Sequence, residues 1–301
     1  MPFIPSRVEE RLLLITPMKN EAAHIDELMR TVLEQTVRPV AWVIVDGNST
    51  DGSPEMASEI AGRHDWIHVI EQEHFYGQGY SHQNFALGVN DGCRYGLSLP
   101  RIGPSIQLIG KIDATVDLDR EFFERMIKEM DSDKRNAFVC GQERQRPGED
   151  AAPLSGDPFV DINDIRIYRR DFLESLDLYP VTSSPDTVLI VKARKMGLNA
   201  KVCEGATFHD KRPGATKIGR WKGYMLKGEA LWSLGYHPLI ILIDVFYFGI
   251  KKLSFSYYSV VMFGYLRGFI NHTERVDDPD VVNYFWRHRL SDAVASHLNK
   301  A

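Results

Sequence analysis

Over the first 130 residues, short apolar runs alternate with stretches of helical periodicity, and few folds accept that order. Leu12–Thr16 is a continuous β-like run, and after Asn20-Glu21 the apolar positions Ile25, Leu28, Met29 and Val32 fall on one helix face. Val40–Val45 is a second apolar run, ending at Asp46 and the turn "GNSTDGS". A helix over 54–63, a strand over 67–70 and a glycine-rich turn entering a helix ("YGQGYSHQNFALGVNDGCRYG") come next. A fourth strand then runs into "GKIDATVDLD", and "DREFFERM" after it has helical spacing. Strictly alternating strands and helices predict a mostly parallel, Rossmann-like sheet with helices on both faces, an α/β fold. Residues 137–140 form a further β-like run, and "RQRPGEDAAPLSGDP" reads as a loop from its prolines and glycines.

In such sheets ligands sit at the C-terminal ends of the strands. Here those ends carry "TPMKNE", "DGNSTDGS" and "KIDAT", and later segments add Asp186 in "SSPDTVLIVKARKMG" and His209 in "ATFHDKRPG". The turn after the first strand has no Gly-x-Gly-x-x-Gly pattern, which excludes the usual dinucleotide site, and no P-loop is present. A nucleotide would have to be held by side chains and an acid-bound cation.

The net charge of −5 argues against general nucleic-acid binding. The three cysteines, Cys93, Cys140 and Cys203, are odd in number and far apart; they suggest neither a zinc cluster nor a disulfide framework, and point to a reducing, cytoplasmic setting. The N-terminus puts acids and Arg11 before a short apolar run, unlike an export signal. From His237 the chain turns apolar and aromatic ("HPLIILIDVFYFGIKKLSFSYYSVVMFGYLRGFI"), broken by Lys251-Lys252. Each piece falls short of the ~20 residues that span a bilayer. Helices in the membrane interface fit this pattern, as do plain core helices. The expected division is 1–235 for the α/β domain and 236–301 for a helical, membrane-associated region.

Three pieces taken together, "LLLITPMKNEAAHIDELMRTVLEQT", "WVIVDGNSTDGSPEMA" and the acid after the fourth strand, resemble the family 2 glycosyltransferases of the GT-A fold. The resemblance covers residues 10 to about 235. "IYRRDFLESL", "DTVLIVKARKMG", "FHDKRPG" and "GYHPL" resemble a membrane-associated branch with a hydrophobic C-terminal appendage.

It implies that Thr16, Pro17, Asn20 and Glu21 form the first nucleotide-contacting loop. Asp46 would read the base edge, with Asn48, Ser49 and Asp51 beside it. Asp113 matches the first acid of an Asp-any-Asp metal motif, Asp186 the catalytic base and His209 a C-terminal metal ligand. Lys111, Lys211 and Arg212 are auxiliary cations for the diphosphate. The chain departs from the family at Thr115, in place of the second acid, at Pro185, where Glu often stands, and at Asp164, where a glycine often precedes "YRR". Asp113, Thr115 and His209 are the candidate metal contacts.

The implied activity is an inverting, metal-dependent glycosyltransferase of hexosyltransferase type. It would use Mg²⁺ or Mn²⁺ and a UDP- or GDP-sugar, with a lipid-linked or saccharide acceptor. The place would be the cytoplasmic face of the cell membrane, peripheral or monotopic. Blander roles stand beside these: Asp186 capping a helix, His209 a structural histidine, Asp46 a turn residue, Lys211-Arg212 a solvated pair. The stretch "TKIGRWKGYMLKGEALW" interleaves basic and aromatic residues, as a lipid-facing or a surface helix would. Two other activities fit less of the chain. One is a degenerate sugar-nucleotide-binding protein of a membrane assembly. The other is a sugar-phosphate nucleotidyltransferase, whose Gly-, Arg- and Lys-rich loop is missing from "TPMKNE".

Overall fold

The computed structural model describes residues 7–77, 81–144, 151, 154, 158–211, 220–242 and 255–289. Arg212, most of the loop 145–157 and the apolar stretch 243–254 lie outside the described residues.

The chain falls into two compact units, Met1–Val181 with Ala193–Lys211, and Thr182–Lys192 with Arg212–Ala301. The first is built on eight strands: β1 (Arg7–Met18), β2 (Val37–Asp46), β3 (Ile67–Glu71), β4 (Leu108–Lys111), β5 (Val116–Leu118), β6 (Asn136–Glu143), β7 (Arg166–Arg169) and β8 (Asn199–Asp210). Their order in the sheet is β3-β2-β1-β4-β7-β6-β8-β5. The predicted alternation is right for β1 to β4, which run parallel. It fails beyond them: β7 is antiparallel to β4 and β6, and β5 to β8, so the sheet is mixed.

Alternation along β1 shows why the sheet is covered twice. Successive strand residues point to opposite faces. Leu12 and Leu14 join one core with Ile25, Leu28, Met29 and Val32 of α1 (Ile25–Leu33), Ala57 of α2 (Ser53–Ala61) and Phe122, Phe123 and Met126 of α4 (Phe122–Ser132). Leu13 and Ile15 face α3 (His82–Ser98) on the other side. There a Cβ on Gly96 would lie 2.5 Å from Leu13 Cδ1 and one on Gly92 2.7 Å from Ile15 Cγ2, so α3 approaches the sheet more closely than any side chain allows. Ser81 caps α3 by accepting a hydrogen bond from the Asn84 N–H, 3.0 Å. The side chain of Asn90 on α3 donates to Tyr179 O (2.9 Å) and accepts from Tyr179 N (2.8 Å), fastening a segment distant in sequence.

The second unit is helical. A helix at Arg220–Ser233 crosses another at Phe255–Ile270 through glycines: a Cβ on Gly228 would stand 2.0 Å from Val261 O, and one on Gly264 2.1 Å from Met225 O. Trp232 packs edge-on against Tyr265 and Phe269, and Lys192 Nζ lies 2.6 Å from Asp278 and 3.2 Å from Asp280. Phe263 and Ile270 are 61% and 69% exposed. No described helix is long and apolar enough to cross a membrane.

Candidate active site

Strand directions decide which ends meet. β6 and β8 run the same way, and each antiparallel step through β7 restores the direction of β4. The C-terminal ends of β1, β2, β4 and β8 and the entry to β7 therefore share one edge of the sheet. Met18–Glu21, Asp46, Lys111–Asp113, Asp164 and His209–Asp210 all belong to that edge.

One half of the edge is a pair of interlocked loops. Asp46 is buried and accepts from Ser49 N (3.1 Å) and Ser49 Oγ (2.5 Å). Asn20 accepts at Oδ1 from Thr50 N (2.8 Å), and its own N–H donates to Ser49 Oγ (2.9 Å). Asp51 accepts from Ala22 N (2.9 Å), Ser53 N (3.1 Å) and Ser53 Oγ (2.6 Å). Although desolvation pushes its carboxyl up, the hydrogen bonds from Ser53 and Ala22 outweigh it and hold Asp51 below the usual carboxylate range. Asn20 (φ 54°) and Asn48 (φ 64°) take left-handed backbone, which asparagine tolerates better than most residues. Asn48 is exposed at the turn, Pro17 is half-buried, and Glu21 is buried with its N–H toward Ser53 Oγ at 3.4 Å. Thr16 points inward: fully buried, it accepts at Oγ1 from Trp42 Nε1, 3.0 Å.

The other half is ionic. Lys111 is 0% exposed, its ammonium over the Phe85 ring at 4.6 Å, 3.1 Å from Asp113 Oδ1 and 3.3 Å from Asp164 Oδ2, and donating to Asp164 O at 2.9 Å. Burial, then repulsion from Asp164 and Asp210, push the Asp113 carboxyl up to about 7 against the pull of Lys111. Burial also works against the Asp164 charge, yet Lys111 and Arg166 overcome it and leave Asp164 below the usual range. The buried Thr115 hydroxyl donates to Asp210 Oδ1 at 2.8 Å. His209 Nδ1 lies 3.1 Å from Arg144 O. Lys211 pairs with Glu27, and burial lowers its ammonium pKa.

Asp186 is half-buried in the first turn of the helix Pro185–Lys195, in the second unit. Two acids of this edge, Asp164 and Asp210, were not among the expected site residues. Asp164 had a signal, as a departure from the family pattern; Asp210 needed the β5–β8 pairing to be seen.

Residues 13–86, from β1 to the first turn of α3, match the family model described as glycosyl transferase family 2. This match bears out the glycosyltransferase class expected from the sequence. Solved structures share the GT-A fold. The mannosyltransferase PcManGT from Pyrobaculum calidifontis, in complex with GDP-Man and Mn²⁺, has TM-score 0.55 at 18% identity, over 96% of this chain and 80% of its own. S. aureus TarS has TM-score 0.52 at 16% identity, over 73% of this chain and 40% of its own, so this chain matches less than half of TarS. Glucosyl-3-phosphoglycerate synthase from Mycobacterium tuberculosis, in complex with Mn²⁺, UDP and glucosyl-3-phosphoglycerate, has TM-score 0.50 at 13% identity, over 73% and 78%. No curated protein matches the sequence.

Proposed function

We propose that this chain is an inverting glycosyltransferase that moves a sugar from a UDP- or GDP-sugar to a lipid-linked or saccharide acceptor with a divalent cation. The observation that carries this reading is the joint edge of the sheet, where prebuilt loops at Asn20, Asp46 and Asp51 adjoin half-buried carboxylates at Asp113 and Asp164. The loops suit a nucleoside, and the carboxylates suit a hard cation. Among the described residues no three His, Cys, Asp or Glu side chains are gathered into a ready cage. That fits Mg²⁺ or Mn²⁺, which are commonly held by one or two carboxylates with substrate phosphate oxygens completing the shell. When bound, such an ion neutralises the departing diphosphate.

Asp113 holds the ion's protein side, with His209 as the second candidate ligand. Lys111 keeps Asp113 and Asp164 in place as a buried counter-charge. The loops at Pro17, Asn20 and Asp46–Asp51 orient the nucleoside, and Lys211 and Arg212 favour the diphosphate. Asp186 takes the proton of the acceptor hydroxyl as its oxygen bonds to the anomeric carbon and the bond to diphosphate breaks, with inversion. The exposed Phe263, Leu266, Phe269 and Ile270 support a position at a membrane interface.

Release of nucleoside diphosphate from a panel of UDP-, GDP-, CDP- and dTDP-sugars, with and without Mn²⁺, tests the reading. Metal-dependent release of one diphosphate is expected. Donor binding without release, even with membrane lipids added, would instead favour a sugar-nucleotide-binding protein, the reading suggested by Thr115 at the second-acid position. Asp186→Asn is expected to lower turnover by about 10²–10⁴-fold; an unchanged rate removes it as base.

A further inference from the structure

We propose that Asp210, oriented by the Thr115 hydroxyl, supplies the second carboxylate of the cation site at Asp113, so that β8 delivers the acid that position 115 lacks. This rests on the metal-dependent reading above. Thr115 is buried, and a hydroxyl has one proton to give. That proton goes to Asp210 Oδ1 at 2.8 Å. The contact is fixed from both sides by backbone: Val116 pairs with Asp210 and Asp117 with His209, while the Lys211 N–H donates to Thr115 O at 3.2 Å. The end of β8 is thereby tied to the chain two residues past Asp113.

Charge points the same way. Lys111 is committed to Asp113 and Asp164, at 3.1 and 3.3 Å. With Thr115 holding Asp210 beside the chain that follows Asp113, β4 and β8 crowd carboxylates into one corner of the edge. A divalent cation, with the oxygens of a nucleoside diphosphate, would relieve that crowding, and hard oxygen donors are the ligands Mg²⁺ and Mn²⁺ prefer. Thr115 is then a positioning residue: it aims Asp210 and need not touch the ion.

The test is Mn²⁺ binding to the full chain, followed by electron paramagnetic resonance of free Mn²⁺ and by calorimetry, with UDP or GDP present, for the wild type and D113N, D210N, T115V and T115S. Asn at 210 keeps the volume and the oxygen that accepts from Thr115, so D210N removes the charge and the second acceptor oxygen while keeping the Thr115 contact. D210N is expected to weaken Mn²⁺ binding at least tenfold and T115V at least threefold, with T115S close to wild type and all variants melting cooperatively. Binding by D210N within twofold of wild type, while D113N loses it, overturns the proposal and leaves the glycosyltransferase reading standing. Loss in D210N but not in T115V overturns the orienting role of Thr115. No nucleotide-dependent Mn²⁺ binding by the wild type overturns both the proposal and the metal-dependent reading. Should D210N fail to fold, the T115V and T115S pair still decides: weakening in T115V restored by T115S supports the proposal, and equal binding by both overturns it.

Discussion

Two halves of the same sheet edge are finished in opposite ways. Where β1 and β2 end, Asn20, Asp46, Asp51 and their serine and threonine partners close on one another in short hydrogen bonds, and the acids accept from backbone N–H groups and hydroxyls. Where β4 ends and β7 begins, Asp113 and Asp164 flank the buried Lys111, Asp210 at the end of β8 is held by Thr115, and the Asp113 carboxyl is pushed up to about 7. The first half is built for a ligand that fits it. The second sets carboxylates beside the buried Lys111, and it is the half to which the proposed cation is assigned.

The largest test of this contrast removes the lysine. Lys111→Met leaves Asp113 and Asp164 without their counter-charge; both carboxylates keep partial access to water, so urea unfolding should show a loss at the lower end of the about 3–5 kcal/mol that breaking a buried pair costs. Asp113→Asn should do the reverse, keeping the fold while lowering metal-dependent donor turnover about 100-fold, or about 2.7 kcal/mol of barrier. On the other half, Asn20→Ala removes the acceptor for Thr50 N and puts alanine at φ 54°. About 1 kcal/mol of stability should go, with a severalfold rise in donor KM and little change in kcat.

The smallest effect is one of pH. A carboxyl raised in the folded state favours its protonated form, so Asp113 adds stability below about pH 4, and that contribution is lost as pH rises toward about 7. Asp164, held low, has the opposite sign: its contribution is present above the ordinary carboxylate range and lost as pH falls through its lowered value. The metal-free protein should therefore lose a few degrees of melting temperature between about pH 4 and 7, and Asp113→Asn should flatten that slope. An equal slope in the variant would mean that the Asp113 carboxyl is not raised by burial and its neighbours.

Much of the first half could be read from the chain. β1, β2 and β4 each contain an apolar run that stops at polar residues, and α1 announces itself by its spacing, so Asn20, Asp46 and Asp113 could be placed at strand ends. β5, β7 and β8 could not be recognised in this way. β5 has three residues, β7 is "RIYR", and β8, "NAKVCEGATFHD", mixes polar and apolar residues. Asp210 gains its place only by pairing across a long sequence distance, which periodicity does not register. Lys111 looked like a free cation for phosphate because its burial between two acids belongs to the fold and not to its neighbours in sequence. The mixed sheet departs from the parallel expectation for the same reason, since β7 and β5 enter by pairings that no local pattern encodes.

The pair of hydrogen bonds between the Asn90 side chain and the backbone of Tyr179 has a consequence for how the protein is made. The two residues are 89 apart, so on a ribosome adding roughly 5–20 residues per second the amide of Asn90 emerges on the order of ten seconds before its partner exists. Throughout that interval a polar group destined for the interior has only water to bond. α3 therefore cannot seat finally until the chain beyond β7 has been synthesised, and a nascent chain stopped before Tyr179 should remain open to protease along α3 even with β1 to β4 complete.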